Sequence, residues 1–112
     1  MSDCLFCKII AGEIPSKKVY EDDQCLVFCD IAPLAPTHFL VIPKQHFASL
    51  NDGVPADLLG QLMARVPEIG KIKGIDESGY RVVVNTGADA GQTVFHFHIH
   101  ILGGKNLGEH VL

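Results

Sequence analysis

From Gln92 to Gly104 the chain reads Gln-Thr-Val-Phe-His-Phe-His-Ile-His-Ile-Leu-Gly-Gly, and three of its six histidines alternate there with apolar residues. Successive side chains of a β-strand point to opposite faces, so this pattern predicts a strand over Val94–Leu102. One face would carry His96, His98 and His100, the other Phe97, Ile99 and Ile101. Placing three imidazoles on one face gives up apolar burial. It gains groups that titrate near neutral pH and serve as nucleophile, acid, base or metal ligand.

The other elements follow from punctuation and period. Residues 3–11 read as a short helix, capped by Ser2 or Asp3 and stopped by Gly12. Val19–Glu21 and Cys25–Asp30 read as a hairpin around the polar Asp22-Asp23-Gln24. Two prolines make 32–36 a loop, and Thr37–Ile42 is a strong strand ended by Pro43. A long helix should begin near Pro55, with Asn51 or Asp52 close to its cap. Leu58, Leu59, Leu62, Met63, Val66, Ile69 and Ile72 would form one face, and Pro67 should kink or break it. Lys71–Gly74 close it, and Tyr80–Asn85 is the strand before the last. About five strands with one long and one short helix, without strand–helix alternation, predict an α+β fold on an antiparallel sheet.

With 112 residues, 47% hydrophobic and 20% charged, residues 1–112 are expected to form a single domain with a real core. A net charge of −4, with lysines and acids mixed, provides no basic face and argues against a nucleic acid polymer as partner. A small phosphate ester remains compatible, because backbone amides and a few imidazoles hold one without net positive charge. No stretch reaches the roughly 18 apolar residues of a membrane span. The start lacks the pattern of a signal peptide, so no membrane partner and a cytoplasmic location are expected. Thiols stay reduced there, which makes Cys4-x-x-Cys7 a metal or redox pair rather than a disulfide element. Cys25 and Cys29 read as small buried groups of a strand.

The histidine run has three readings. As satisfied core groups, each imidazole would need its own buried partner. As a three-histidine metal centre, one straight strand would place the outer Cα atoms about 13–14 Å apart. Such a spread hardly lets three rings converge on metal–nitrogen bonds of about 2.0–2.1 Å. As a strip facing a phosphate, a central nucleophile would have an imidazole on each side, one to orient and one to donate. Gly91, Gln92 and Thr93 would supply flexible backbone, an amide and a hydroxyl beside the phosphate. Attack on phosphorus through a phospho-histidine splits one hard displacement into two easier ones.

The run His96–Leu102 resembles the signature of the histidine-triad (HIT) superfamily, in which three histidines alternate with apolar residues. Phe6–Pro15, Glu21-Asp22-Asp23, Phe28–Ile31, Ala35–Lys44 and Gly91–Gly104 resemble its Hint branch, the purine nucleoside phosphoramidases. The resemblance implies a homodimer whose sheets join across the interface. It also implies hydrolysis of the P–N bond in AMP- or GMP-amines through a nucleotidyl-histidine, with no cofactor required for catalysis. By motif match His98 is the nucleophile, His100 contacts the phosphate oxygens, His96 supports the central ring and Thr93 stands near the leaving group. Asn85, Gly91, Gln92 and Val94 match phosphate-binding positions, and Asp30 the ribose-binding acid. Leu5, Phe6, Ile9, Phe28, Ile31 and Leu40 match the walls of a base pocket.

Some relatives bind a structural zinc through a cysteine pair, a histidine at the position of His46 and the first triad histidine. Cys4, Cys7, His46 and His96 are all present here; the alternative is two helix-packing cysteines beside an exposed histidine. With zinc bound, His96 is structural and catalysis falls to His98 and His100. His38 reads as an orienting group on the adjacent strand, and His110 as solvated. The tail after Gly103-Gly104 departs from the branch, having neither tryptophan nor a proline-rich end, which leaves the leaving-group preference open. Two further functions stay in view. One is dinucleoside polyphosphate hydrolysis, as in the Fhit branch, against which His100 argues because glutamine usually stands there. The other is a nucleotide-binding scaffold or sensor with little turnover.

Overall fold

The chain reverses direction at Asp22. Its Oδ1 accepts from the backbone N–H groups of Gln24 at 2.8 Å and Cys25 at 3.0 Å, an aspartate-capped turn that needs no glycine. The turn joins β1 (Lys18–Glu21) to β2 (Cys25–Cys29). Strands β3 (Thr37–Pro43), β4 (Tyr80–Val83) and β5 (Ile99–Gly103) complete one antiparallel sheet in the order β1-β2-β3-β5-β4. The computed structural model describes residues 3–109, so Ser2 and His110 lie outside the described residues. Among these residues no helix is long and apolar enough to cross a membrane.

Both faces of the sheet are covered, which is why β2 and β3 read as nearly continuous apolar runs. Cys25, Val27, Phe39 and Val41 point to one face and pack with Leu62, Val66 and Ile69 of the long helix α2 (Ala56–Ile72). Leu26, Phe28, Leu40 and Ile42 point to the other and meet Phe6 and Ile9 of the short helix α1 (Leu5–Ile10). Gly70 lies where α2 passes the start of β4: a Cβ there would stand 3.0 Å from the Tyr80 ring. The hairpin is tied to α2 by Asp22 Oδ2, which accepts from the Tyr20 hydroxyl at 2.8 Å and Arg65 Nε at 2.9 Å.

Five sequence expectations are corrected. The strand expected from Val94 begins only at Ile99, because β3 ends at Pro43, whose nitrogen cannot donate to a ladder. Residues 94–98 instead leave the sheet, held by the Phe97 N–H on the Phe47 carbonyl at 2.6 Å. Pro67 neither breaks nor ends α2. It sits on the exposed side, as does Met63 one turn earlier, where water can serve the carbonyl that proline leaves without a donor. Met63 and Ile72 are 47% and 63% exposed, since the apolar stripe is wider than the sheet it covers. The cap of α1 is Cys4, whose Sγ accepts from the Cys7 N–H at 3.3 Å, in place of Asp3. Pro55 itself stands at the α2 cap, and Asp52 accepts from the Ala48 N–H instead.

Candidate active site and metal cluster

Although residues 94–98 carry no ladder, they stay extended enough to keep the alternation of faces. Phe97, Ile99 and Ile101 enter the core under α2. The three imidazoles turn to the α1 side, where the Phe6 ring meets His96 at 5.9 Å and His98 at 5.2 Å edge-on. His98 and His100 are themselves edge-to-face at 4.9 Å. They open on a cleft of 330 Å³ between α1 and the sheet.

The walls of that cleft contain most of the residues named from sequence. Leu5, Phe6, Ile9, Phe28, Ile31 and Leu40 form its apolar part, and Asp30, Thr93, Val94, His98 and His100 its polar end. Ile31 is 94% exposed and is therefore a rim rather than a wall. Ile14, Pro15 and Ser16 also line the cleft. No spacing or motif in the sequence marks them as site residues; only the likeness of Phe6–Pro15 to a family block touches Ile14 and Pro15.

Asn85, Gly91 and Gln92 lie outside this cleft. Asn85 stands behind His100, its Nδ2 3.5 Å from His100 Nε2, and lines a neighbouring cleft. Gly91 closes a short 3-10 turn at Ala88–Ala90 with φ +79°, a conformation glycine adopts without strain. Gln92 is buried and fully committed: its Oε1 accepts from the Gly87 N–H at 2.8 Å. Its Nε2 donates to the Ala48 carbonyl at 2.8 Å and the Val94 carbonyl at 3.1 Å, and its N–H to the Gly87 carbonyl. It braces the loop.

Carbonyl and amide partners fix the proton on each ring. His98 Nδ1 lies 2.7 Å from the His96 carbonyl, which can only accept, so Nδ1 carries hydrogen and the Nε2 lone pair is free. The Leu34 N–H donates to His38 Nδ1 at 3.1 Å, so His38 carries hydrogen on Nε2 and donates to His100 Nδ1 at 2.9 Å. His100 in turn holds its hydrogen on Nε2, which requires the Asn85 amide 3.5 Å away to be turned with its oxygen toward the ring. Asp30 Oδ2 stands 3.5 Å from His38 Nε2, while Asp30 Oδ1 accepts from the Ala32 N–H. Burial, reinforced by His98 and His38, pushes His100 down to about 4, with Asp30 opposing. Burial also holds His38 below the usual histidine range. Adjacent rings thus differ: His98 offers a lone pair and His100, neutral at pH 7, offers an N–H.

Beside the cleft, Cys4, Cys7, His46 and His96 converge, their four ligand atoms within 4.8 Å of one another. The Sγ–Nδ1 distances are 3.3 Å for Cys4–His96, 3.4 Å for Cys7–His46 and 3.5 Å for Cys7–His96. A tetrahedral ion at about 2.3 Å from sulfur and 2.0–2.1 Å from nitrogen sets sulfur–nitrogen edges of about 3.5 Å, so the set fits a zinc ion. The fully buried His96 donates from Nε2 to the Pro43 carbonyl at 2.8 Å, leaving the Nδ1 lone pair toward the sulfurs. Burial, with Cys4 beside it, pushes the Cys7 thiol up to about 11, and a bound cation reverses that preference. Asp30, His38 and His100 also approach one another within 4.8 Å, but His38 presents a hydrogen where a metal needs a lone pair. That second cluster does not fit an ion.

The family model of the HIT domain matches residues 11–107. The chain belongs to the HIT family. The protein HitA of Neisseria gonorrhoeae is 51% identical over 105 residues, covering 92% of this chain and 97% of that one. A histidine triad protein from Clostridium difficile matches in structure with TM-score 0.94 and 50% identity, covering 98% of this chain and 97% of the other. A HIT family hydrolase from Legionella pneumophila matches with TM-score 0.91 and 45% identity over 95% and 96% of the two chains. The five-stranded antiparallel sheet with two helices is the HIT fold.

Proposed function

We propose that this HIT protein is a nucleotide-binding hydrolase that cleaves the P–N bond of purine nucleoside 5′-phosphoramidates. The observation that carries the reading is the tautomeric contrast of His98 and His100 at the polar end of an apolar cleft. The similar Legionella chain is described as a hydrolase. A purine would lie against Phe6, Phe28 and Leu40, with its ribose hydroxyls on Asp30. The His98 Nε2 lone pair attacks phosphorus while the P–N bond breaks and its electron pair leaves with the nitrogen. His100 Nε2–H holds a phosphate oxygen, and the departing nitrogen takes up a proton from solvent at the end lined by Thr93, a proton returned to solvent when water attacks in the second step. Water then displaces His98 from phosphorus, giving the nucleoside monophosphate and the free imidazole.

The Cys4, Cys7, His46 and His96 set would hold a structural zinc, whose charge keeps the thiols ionised and pins α1 to the histidine segment. No step of the reaction passes through it. A homodimer belongs to the same proposal: Met63 and Ile72 are exposed apolar groups of α2, and β4 is a sheet edge beside that helix. A sedimenting mass of two chains checks it. The activity is tested with an AMP-linked amine. His98→Ala is expected to lose turnover while still binding AMP, and full retained activity overturns the assignment. Tight AMP binding without turnover by the unsubstituted protein would make it a binding module.

A further inference from the structure

A second cleft of 670 Å³ abuts the first and shares Leu5, Thr93 and Val94 with it. It continues to Asp3, Phe95 and His46, and neither His98 nor His100 lines it. We infer that this cleft seats the departing amine, with Phe95 under its apolar body and Asp3 facing a cationic substituent. The inference rests on the phosphoramidase reading and names the class of leaving group.

Three observations support it. Displacement at phosphorus places attacking and departing atoms roughly in line, so a nucleophile at His98 sends the amine to the side of phosphorus away from His98. The second cleft meets the first at Leu5, Thr93 and Val94 and is lined by neither His98 nor His100. Phe95 is 53% exposed and Leu5 41%, so two large apolar groups face one open space, whereas Phe97, next on the same alternation, is buried. Among the described residues Asp3 is the one carboxylate lining the cleft, and it is itself exposed. Such a lining suits an amine with an aromatic or aliphatic body and tolerates a second positive charge. A second phosphate or a carboxylate-bearing group would meet Asp3 unfavourably.

The test measures kcat/KM for three AMP amidates, those of ammonia, benzylamine and 1,4-diaminobutane, with the full chain and two variants. Phe95→Ala is expected to lower the benzylamide-to-ammonia ratio by about five- to tenfold, the range of an aromatic contact. Asp3→Asn is expected to lower the diaminobutane-to-ammonia ratio by about two- to fivefold, as for an exposed ion pair. Unchanged ratios in both variants of an active enzyme overturn the subsite alone. No turnover of any amidate by the unsubstituted protein overturns the phosphoramidase reading and the subsite with it.

Discussion

His38 and His100 meet nitrogen to nitrogen, Nε2 to Nδ1, at 2.9 Å across paired strands. Because the Leu34 amide occupies the far side of His38, this contact transmits a defined proton position from a loop to the cleft. His38 therefore acts as a positioning residue. His38→Leu should let His100 adopt either tautomer and lower kcat on an AMP amidate by about ten- to a hundredfold with little change in KM. His38→Gln, whose amide can still donate, should recover part of the loss. Equal kcat in all three proteins would refute the role.

Depressed protonation of His100 makes stability depend on pH. The ring faces His98, His38 and Asp30, with Asn85 behind it. Its folded value of about 4 lies below the ordinary 6.5, so between these values the unfolded chain binds more protons. The contribution is complete above pH 6.5 and is lost as pH falls toward 4, on the order of 2–3 kcal/mol. Urea titrations across that window should show the decline, and His100→Asn should flatten it. An unchanged slope in the variant would count against this account.

Zinc loading offers a direct measurement. The purified protein is expected to hold about one zinc per chain, since the four donors form one tetrahedral set. Cys4→Ser and Cys7→Ser should lower the stoichiometry and the melting temperature together. Chelation should lower the melting temperature of the unsubstituted chain. A chain that excludes zinc yet melts like the variants would show the donors to be mere packing groups.

Asp22 is the tie between hairpin and helix, accepting from Gln24, Cys25, Tyr20 and Arg65. Asp22→Ala removes two backbone and two side-chain partners at once and should destabilise the fold by about 2–3 kcal/mol, read as a lowered urea midpoint. Arg65→Ala removes one partner and should cost less than half as much. Equal effects would mean that the turn itself contributes nothing.

The alternating histidines announced which face each side chain takes, and the cleft assembled from residues the motif had named. Periodicity reports faces rather than hydrogen bonds, however, so the point where β5 begins was invisible: Val94–His98 alternate like a strand without being paired. Spacing also could not reveal that the Gln92 amide is consumed by Gly87, Ala48 and Val94. The apolar stripe of α2 predicted burial for Met63 and Ile72, but a stripe does not state how wide its cover is. His46 and Cys7 lie 39 residues apart. No local pattern joins them, and only the likeness to relatives suggested the pair.

The boundary at Ile99 falls between His98 and His100. His100 is clamped in the ladder opposite Leu40, whereas His98 hangs from the unpaired segment by a bond to its own neighbour's carbonyl. One ring is thus set by the sheet itself and the other by the segment ahead of it, which also presents His96 to the cysteine cluster. Whatever shifts those four donors therefore bears on His98 before it bears on His100.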